Sequence, residues 1–217
     1  MAVAEYRIRR SERARRVRVF VDADGSVTVT LPRRAPERAA GEAVRELAPW
    51  IARRRRVLAH AAQELARPAG TLPYLDATLV VQPQSGRVRV HRRGDVLLVP
   101  EGDPRPALER FYRRAARSEI AARLDAATAR HGTRYTGLTI RGQRTRWASC
   151  SAEGAMSFNW RLLLAPAGIV DYVVEHEVCH LELMDHSPRF WALLESRVPG
   201  WREHAAWLRR YGSTLTL

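Results

Sequence analysis

Val173-Val174-Glu175-His176-Glu177-Val178-Cys179-His180-Leu181 carries a His-Glu-x-x-His pattern inside an apolar run that suits a helix. Two histidines four residues apart on a helix are offset by roughly 40° and one turn, so both rings project from one face. That spacing lets two imidazole nitrogens reach one zinc ion at about 2.0–2.1 Å, with the intervening glutamate beside the ion without binding it. His176 and His180 are therefore read as metal ligands. Glu177 is read as the catalytic base that activates a zinc-bound water, whose pKa zinc has already brought towards about 7, for attack on a polarised carbonyl.

A catalytic zinc normally takes three protein ligands and keeps one position open. His186, in Asp185-His186-Ser187-Pro188, is the expected third. On an uninterrupted helix it would lie about 240° round from His180, so the helix has to end between Leu181 and Asp185. Ser187 as N-cap and Pro188 as the first residue of a following helix supply that break, because proline disfavours helical geometry in the residue before it. Glu175 and Glu182 are the rival third ligands. Cys179 falls away from the metal face on a helical wheel and reads as a buried thiol. His60, His91, His131 and His204 have no partner pattern and read as incidental.

Outward from this stretch, helices begin near Pro166, Ser187 and Pro199, preceded by a strand at Tyr135 to Arg141 and a short one at Met156 to Asn159. Upstream, Leu108, Phe111, Ala115, Ile120 and Leu124 mark a helix that His131-Gly132 stops. The Pro/Gly-rich segment Pro100 to Pro106 sets a soft boundary, giving an N-terminal region over 1–103 and a C-terminal domain over 104–217. In the first region, alternation at Tyr6 to Arg9, Val17 to Val21 and Val27 to Leu31, with an Asp24-Gly25 turn, predicts a small antiparallel sheet. Residues 36–66 predict one long amphipathic helix on Val44, Leu47, Ile51, Leu58 and Leu65. Thr78 to Val81, Val88 to Val90 and Val96 to Val99 predict a second antiparallel patch, within the same sheet or beside it. The expected fold class is α+β.

The chain is 46% hydrophobic and 28% charged, which excludes wholesale disorder. No stretch reaches the ~18 apolar residues of a membrane span, and no apolar run comes after the arginines of the first residues as in a signal peptide. A cytoplasmic protein without a membrane partner is expected, with Cys150 and Cys179 as free thiols. The formal charge is +14, and all 37 basic residues are arginine. Such a surface attracts phosphate backbones or other acidic partners, although no recognisable nucleic-acid module is present and the Arg53 to Arg56 run reads as a solvated helix face.

The stretches Arg144 to Ser151, Met156 to Leu162, Asp171 to Leu181, Asp185-His186-Ser187 and Phe190-Trp191 together resemble the YgjP-like metal-dependent hydrolases, zincin-type proteins related to the SprT-like and WLM metallopeptidases. The resemblance spans most of the chain and is specific in its C-terminal half. Two departures are Ala148, where glycine is usual, and Asp185, where asparagine is frequent. The resemblance implies the same ligands and base, and a zincin-like C-terminal domain in which a short sheet lies against the metal-binding helix, with Met156 to Asn159 as the edge strand bordering the cleft. Arg146, Asn159 and Arg161 would then contact substrate or the developing oxyanion, or else pin strand to helix. Trp147, Phe158, Trp160, Trp191 and Trp207 are expected to pack the core. The expected activity is that of a zinc metallopeptidase acting on protein or peptide. A metal-dependent nucleotide or phosphate-ester hydrolase and a nucleic-acid-associated zincin scaffold are the alternatives.

Overall fold

The computed structural model describes residues 5–143 and 145–217; Arg144, which opens the first of the stretches carrying the resemblance, lies outside them. The chain forms two compact units, one running to Ala66 and including Arg210–Thr214, the other comprising Arg67–Arg209 and Leu215–Leu217.

In the first unit, β1 (Tyr6–Ser11), β2 (Arg18–Val21) and β3 (Val27–Pro32) form a sheet in the order β1-β3-β2. The β2–β3 hairpin closes as the Asp24-Gly25 signal predicts, with Gly25 at φ +79°. The sheet is not antiparallel throughout: β1 runs parallel to β3, with Tyr6 opposite Val27. Alternation marks which residues share a face but carries no strand direction. The most apolar strand, β3, takes the centre, where Val27, Val29 and Leu31 are at most 1% exposed.

The predicted single helix is two, α1 (Arg38–Glu46) and α2 (Ala48–Glu64), which meet at Leu47 with φ −90° and ψ 8°. Pro49 is the cause, since it has no N–H for the helical ladder and its ring excludes the preceding turn; it sits instead in the first turn of α2. Ala40, Val44 and Ile51 then close over the valine face of β3. Glu64 anchors the C-terminal segment, taking hydrogen bonds from Arg210 and from the Tyr211 hydroxyl (3.0 Å).

The second unit opens with β4 (Thr71–Tyr74), β5 (Ala77–Gln84), β6 (His91–Arg93) and β7 (Val96–Pro100), a separate sheet ordered β4-β5-β7-β6. It too is mixed, β5 and β7 being parallel. Val88 to Val90 precede the strand rather than form it. Residue 104, read as a boundary, falls inside this unit: Gly102, at φ +79°, turns β7 directly into α3 (Arg105–His131). The Tyr112 hydroxyl of α3 donates to the Pro73 carbonyl at 2.6 Å, tying helix to sheet. A Pro/Gly-rich segment serves a tight connection as well as it serves a linker.

α3 buries Leu108, Tyr112, Ala116, Ile120 and Leu124 along one stripe, and left-handed Gly132 (φ +64°) ends it. After it come β8 (Gly137–Arg141), β9 (Ala148–Cys150) and β10 (Ala155–Asn159), ordered β8-β10-β9. The strand expected at the edge is thus the central one, parallel to β8 and antiparallel to β9. The edge nearest the next helix belongs to β9, three residues too short to show a period in the sequence. A 3-10 turn (Trp160–Leu164) leads into α4 (Ala167–Cys179), α5 (Pro188–Arg197) and α6 (Trp201–Tyr211). α4 is buried on nearly every side, by α3, β9 and α5, which is why its sequence is apolar all round. The architecture is mixed α+β, and no described helix is long and apolar enough to cross a membrane.

Candidate metal centre

His176 stands on the last turn of α4, and His180 is the residue that caps it, at φ −68° and ψ −15°. The helix ends at Cys179, two residues before the earliest stop anticipated. Beyond it the chain tightens: the amides of Leu181 and Glu182 bond to the carbonyls of Val178 and Cys179 at 3.1 Å each, an i to i−3 pattern that turns the backbone off the helix axis. The chain returns through Asp185, whose carboxylate accepts the Ser187 amide at 3.1 Å. Ser187 occupies the N-cap position of α5 without a side-chain cap bond, and Pro188 begins the helix.

This reversal brings the three imidazoles together. One ring nitrogen from each of His176, His180 and His186 lies within 4.8 Å of the others. The Nε2 atoms of His176 and His186 are 3.1 Å apart. Two nitrogens sharing a tetrahedral zinc at about 2.0–2.1 Å would be about 3.3 Å apart, so the spacing fits a common ion. Nδ1 of His180 lies 3.0 Å from the Leu183 carbonyl, which fixes the tautomer that leaves Nε2 free. Burial and the neighbouring imidazoles push the His176 pKa down to about 3, and burial lowers that of His180. Both rings are therefore neutral at physiological pH, the form in which imidazole binds metal.

Aromatic rings hold the cluster. Phe190, fully buried, stacks on His180 at 4.5 Å and meets His176 and His186 edge-on at 5.0 and 4.7 Å. Trp191 stacks on His186 at 5.2 Å and is backed by Trp201 at 4.5 Å. Trp191 packs against the core as expected and is also a wall of the site. The available signal was its position: Phe190-Trp191 lies in the first turn of the helix that begins just after His186.

Glu177 is 5% exposed, and burial raises its pKa to about 7 against the pull of a hydrogen bond from the Cys150 amide and the charge of Arg146. Its Oε2 is buried without a hydrogen-bond partner. The rival carboxylates are engaged elsewhere: Glu175 with Arg130 and with His131 Nε2 at 3.0 Å, Glu182 with Arg197. His131, read as incidental, therefore partners a buried acid. His204 also has a role, stacked on Tyr172 at 5.9 Å, and Tyr172 in turn meets His176 edge-on at 6.1 Å.

Of the three residues read as substrate contacts, Arg146 comes near Glu177. Asn159 is 3% exposed and directs its amide inward, donating to the carbonyls of Gln143 (2.6 Å) and Arg146 (3.4 Å) and accepting the Arg161 amide (3.1 Å). Arg161 lies over the Trp160 ring at 4.5 Å. Cys150 and Cys179 are both free thiols.

Residues 15–211 match the family model described as YgjP-like, metallopeptidase domain. Comparison with curated proteins gave no match. Among solved structures, the metallopeptidase zymogen of Pyrococcus abyssi abylysin is similar over 43% of this chain and 95% of that one, at 22% sequence identity and a TM-score of 0.39.

Proposed function

The chain belongs to the YgjP-like metallopeptidase family and is a metal-dependent protease, and we propose that His176, His180 and His186 hold one zinc ion beside Glu177, the base for peptide-bond hydrolysis. The observation that carries this reading is the convergence of three imidazole nitrogens beside a buried carboxylate with a free oxygen. A donor set of three imidazoles suits zinc, which when bound supplies Lewis acidity to a water and to the scissile carbonyl.

Glu177 Oε2 accepts the proton that the attacking water releases and passes it to the departing amine. Burial pushes the pKa of this carboxyl upward, which strengthens it as a proton acceptor. The Cys150 amide fixes the other end of that carboxylate, so β9 orients the base. Arg146 is placed to meet negative charge developing on substrate. Asn159 and Arg161 serve it indirectly, Asn159 by gripping the Arg146 carbonyl. The outer edge of β9 offers an extended peptide a strand to pair with.

Glu177→Gln tests the assignment. Peptide cleavage should fall by about 100-fold or more while zinc stoichiometry stays at one per chain. Cleavage at the wild-type rate by the variant would remove Glu177 from the role.

A further inference from the structure

A surface on the first unit takes no part in this chemistry. The register of β1, β3 and β2 sets Arg7, Thr28 and Phe20 side by side, with Arg9, Thr30 and Arg18 in the next row. These six share the face opposite the buried Val27, Val29 and Leu31. Arg7, Arg9 and Arg18 are exposed, and Phe20 leaves 39% of its surface in water. The connection from β1 to β2 adds Arg13, Arg15 and Arg16 at one end of the sheet, so residues 5–18 contain seven arginines against two glutamates.

Most of the guanidinium groups here lack an ion-pair partner, and the carboxylate on the same face, Asp22, accepts the Thr28 hydroxyl at 2.9 Å beyond Phe20. Arg10 is held by Glu37, and Glu12 is taken by Arg33. Arg7 has the charge of Asp24 near it. Among the described residues, Arg9, Arg13, Arg15, Arg16 and Arg18 have no ion-pair partner. Arginines two apart on a strand stand about 7 Å from each other, and the two outer strands are about 10 Å apart, so like charges crowd a narrow face. An array of phosphates relieves that repulsion and releases counterions. An aromatic ring on the β2 edge of the array, next to Arg18 and across β3 from Arg7, calls for a second kind of contact, a flat unsaturated surface. A duplex keeps its base faces stacked and offers Phe20 nothing; an acidic peptide supplies charge without regular planar groups.

We propose that the outer face of the β1-β3-β2 sheet binds single-stranded nucleic acid, with Arg7, Arg9 and Arg18 on phosphates and Phe20 stacked on a base. The assignment is independent of the protease reading.

Fluorescence anisotropy of the full chain with short labelled oligo-dT and oligo-U tests it. At about 0.7 in logarithmic slope per neutralised phosphate, four or five contacts make affinity fall roughly 50- to 130-fold between about 50 and 200 mM salt. Arg7→Gln/Arg9→Gln/Arg18→Gln should reduce that slope by about 2. Phe20→Leu keeps an apolar strand residue but removes the π-face, and should weaken binding roughly tenfold with the slope unchanged. Circular dichroism verifies that each variant remains folded. Arg38→Gln/Arg53→Gln/Arg56→Gln, on α1 and α2, removes the same three charges from exposed helix positions and should leave the oligonucleotide affinity far closer to wild type than the sheet variant does. Salt-insensitive binding, equal or tighter binding of duplex, competition by polyglutamate as effective as by oligonucleotide, or wild-type affinity in both sheet variants would each overturn the proposal.

Discussion

Free zinc should raise the melting temperature of this protein by a constant increment per decade of concentration, and His186→Ala should abolish the increment. Above the dissociation constant, a ligand bound only by the folded state adds about 1.4 kcal/mol for each tenfold rise in its concentration, whatever the affinity. The three histidines belong to the unit comprising Arg67–Arg209 and Leu215–Leu217. At about 2.1 cal/mol/K per residue, its unfolding entropy is about 0.3 kcal/mol/K. Each decade of zinc should then move the midpoint upward by about 4–5 °C. The 3.1 Å approach of His186 Nε2 to His176 Nε2 makes this residue a full partner in the cluster, so its removal should flatten the response over the same range. Glu177→Gln should keep the slope, and so should His91→Ala, an exposed histidine on β6. Scanning fluorimetry in zinc-buffered solutions reads all four proteins together. A wild-type midpoint indifferent to zinc, or an undiminished slope in His186→Ala, would refute the ligand assignment.

The surroundings of the site give two more expected outcomes. The Glu175 side chain is 8% exposed while Arg130 is 60% exposed, so the two sides of their ion pair are not equivalent. Arg130→Ala/His131→Ala strands a buried carboxylate and should cost about 3–5 kcal/mol, whereas Glu175→Gln returns Arg130 to water and should cost about 1–2 kcal/mol in denaturant unfolding. The reverse order would contradict the geometry. The Cys150 thiol is pushed up to about 11 by burial and by the charge of Glu177. The raised value keeps it protonated at neutral pH, so at pH 7.5 a disulfide reagent should label it at less than about 1% of the rate of free cysteine, rising about tenfold per pH unit up to pH 10. Labelling at the rate of free cysteine would show that the thiol lies in water.

The metal cluster was legible because its determinants are local. The four-residue spacing of His176 and His180 needs only helix geometry, and Ser187-Pro188 announces the break that lets His186 return. Pro49 was equally legible as a helix break between α1 and α2, but the periodic leucines on both sides masked it. The hidden features depend on tertiary neighbours. Nothing in the pattern of Ala148 to Cys150 says that the Cys150 amide meets Glu177, or that Glu175 lies against the end of α3. Strand direction was hidden for another reason: parallel and antiparallel neighbours bury the same alternate residues, so β1 could be given a face but not an orientation. Residue 104 lies inside one compact unit, in which Tyr112, on α3, ties the β4–β7 sheet to the helix.

The early end of α4 separates two functions that adjacent residues share. His176, His180 and His186 close a loop of eleven residues, whose shape depends on the turn after Cys179 and on the first turn of α5. Glu177, inside that loop, takes its orientation from Cys150, twenty-seven positions earlier in the chain. Fraying of β9 would leave the imidazoles clustered while the carboxylate lost its anchor and the dry surroundings that tune it. In the proposed site, grip on the ion and turnover would therefore be set by different stretches of polypeptide, and heat, denaturant or a mutation in the small sheet would abolish the second while sparing the first.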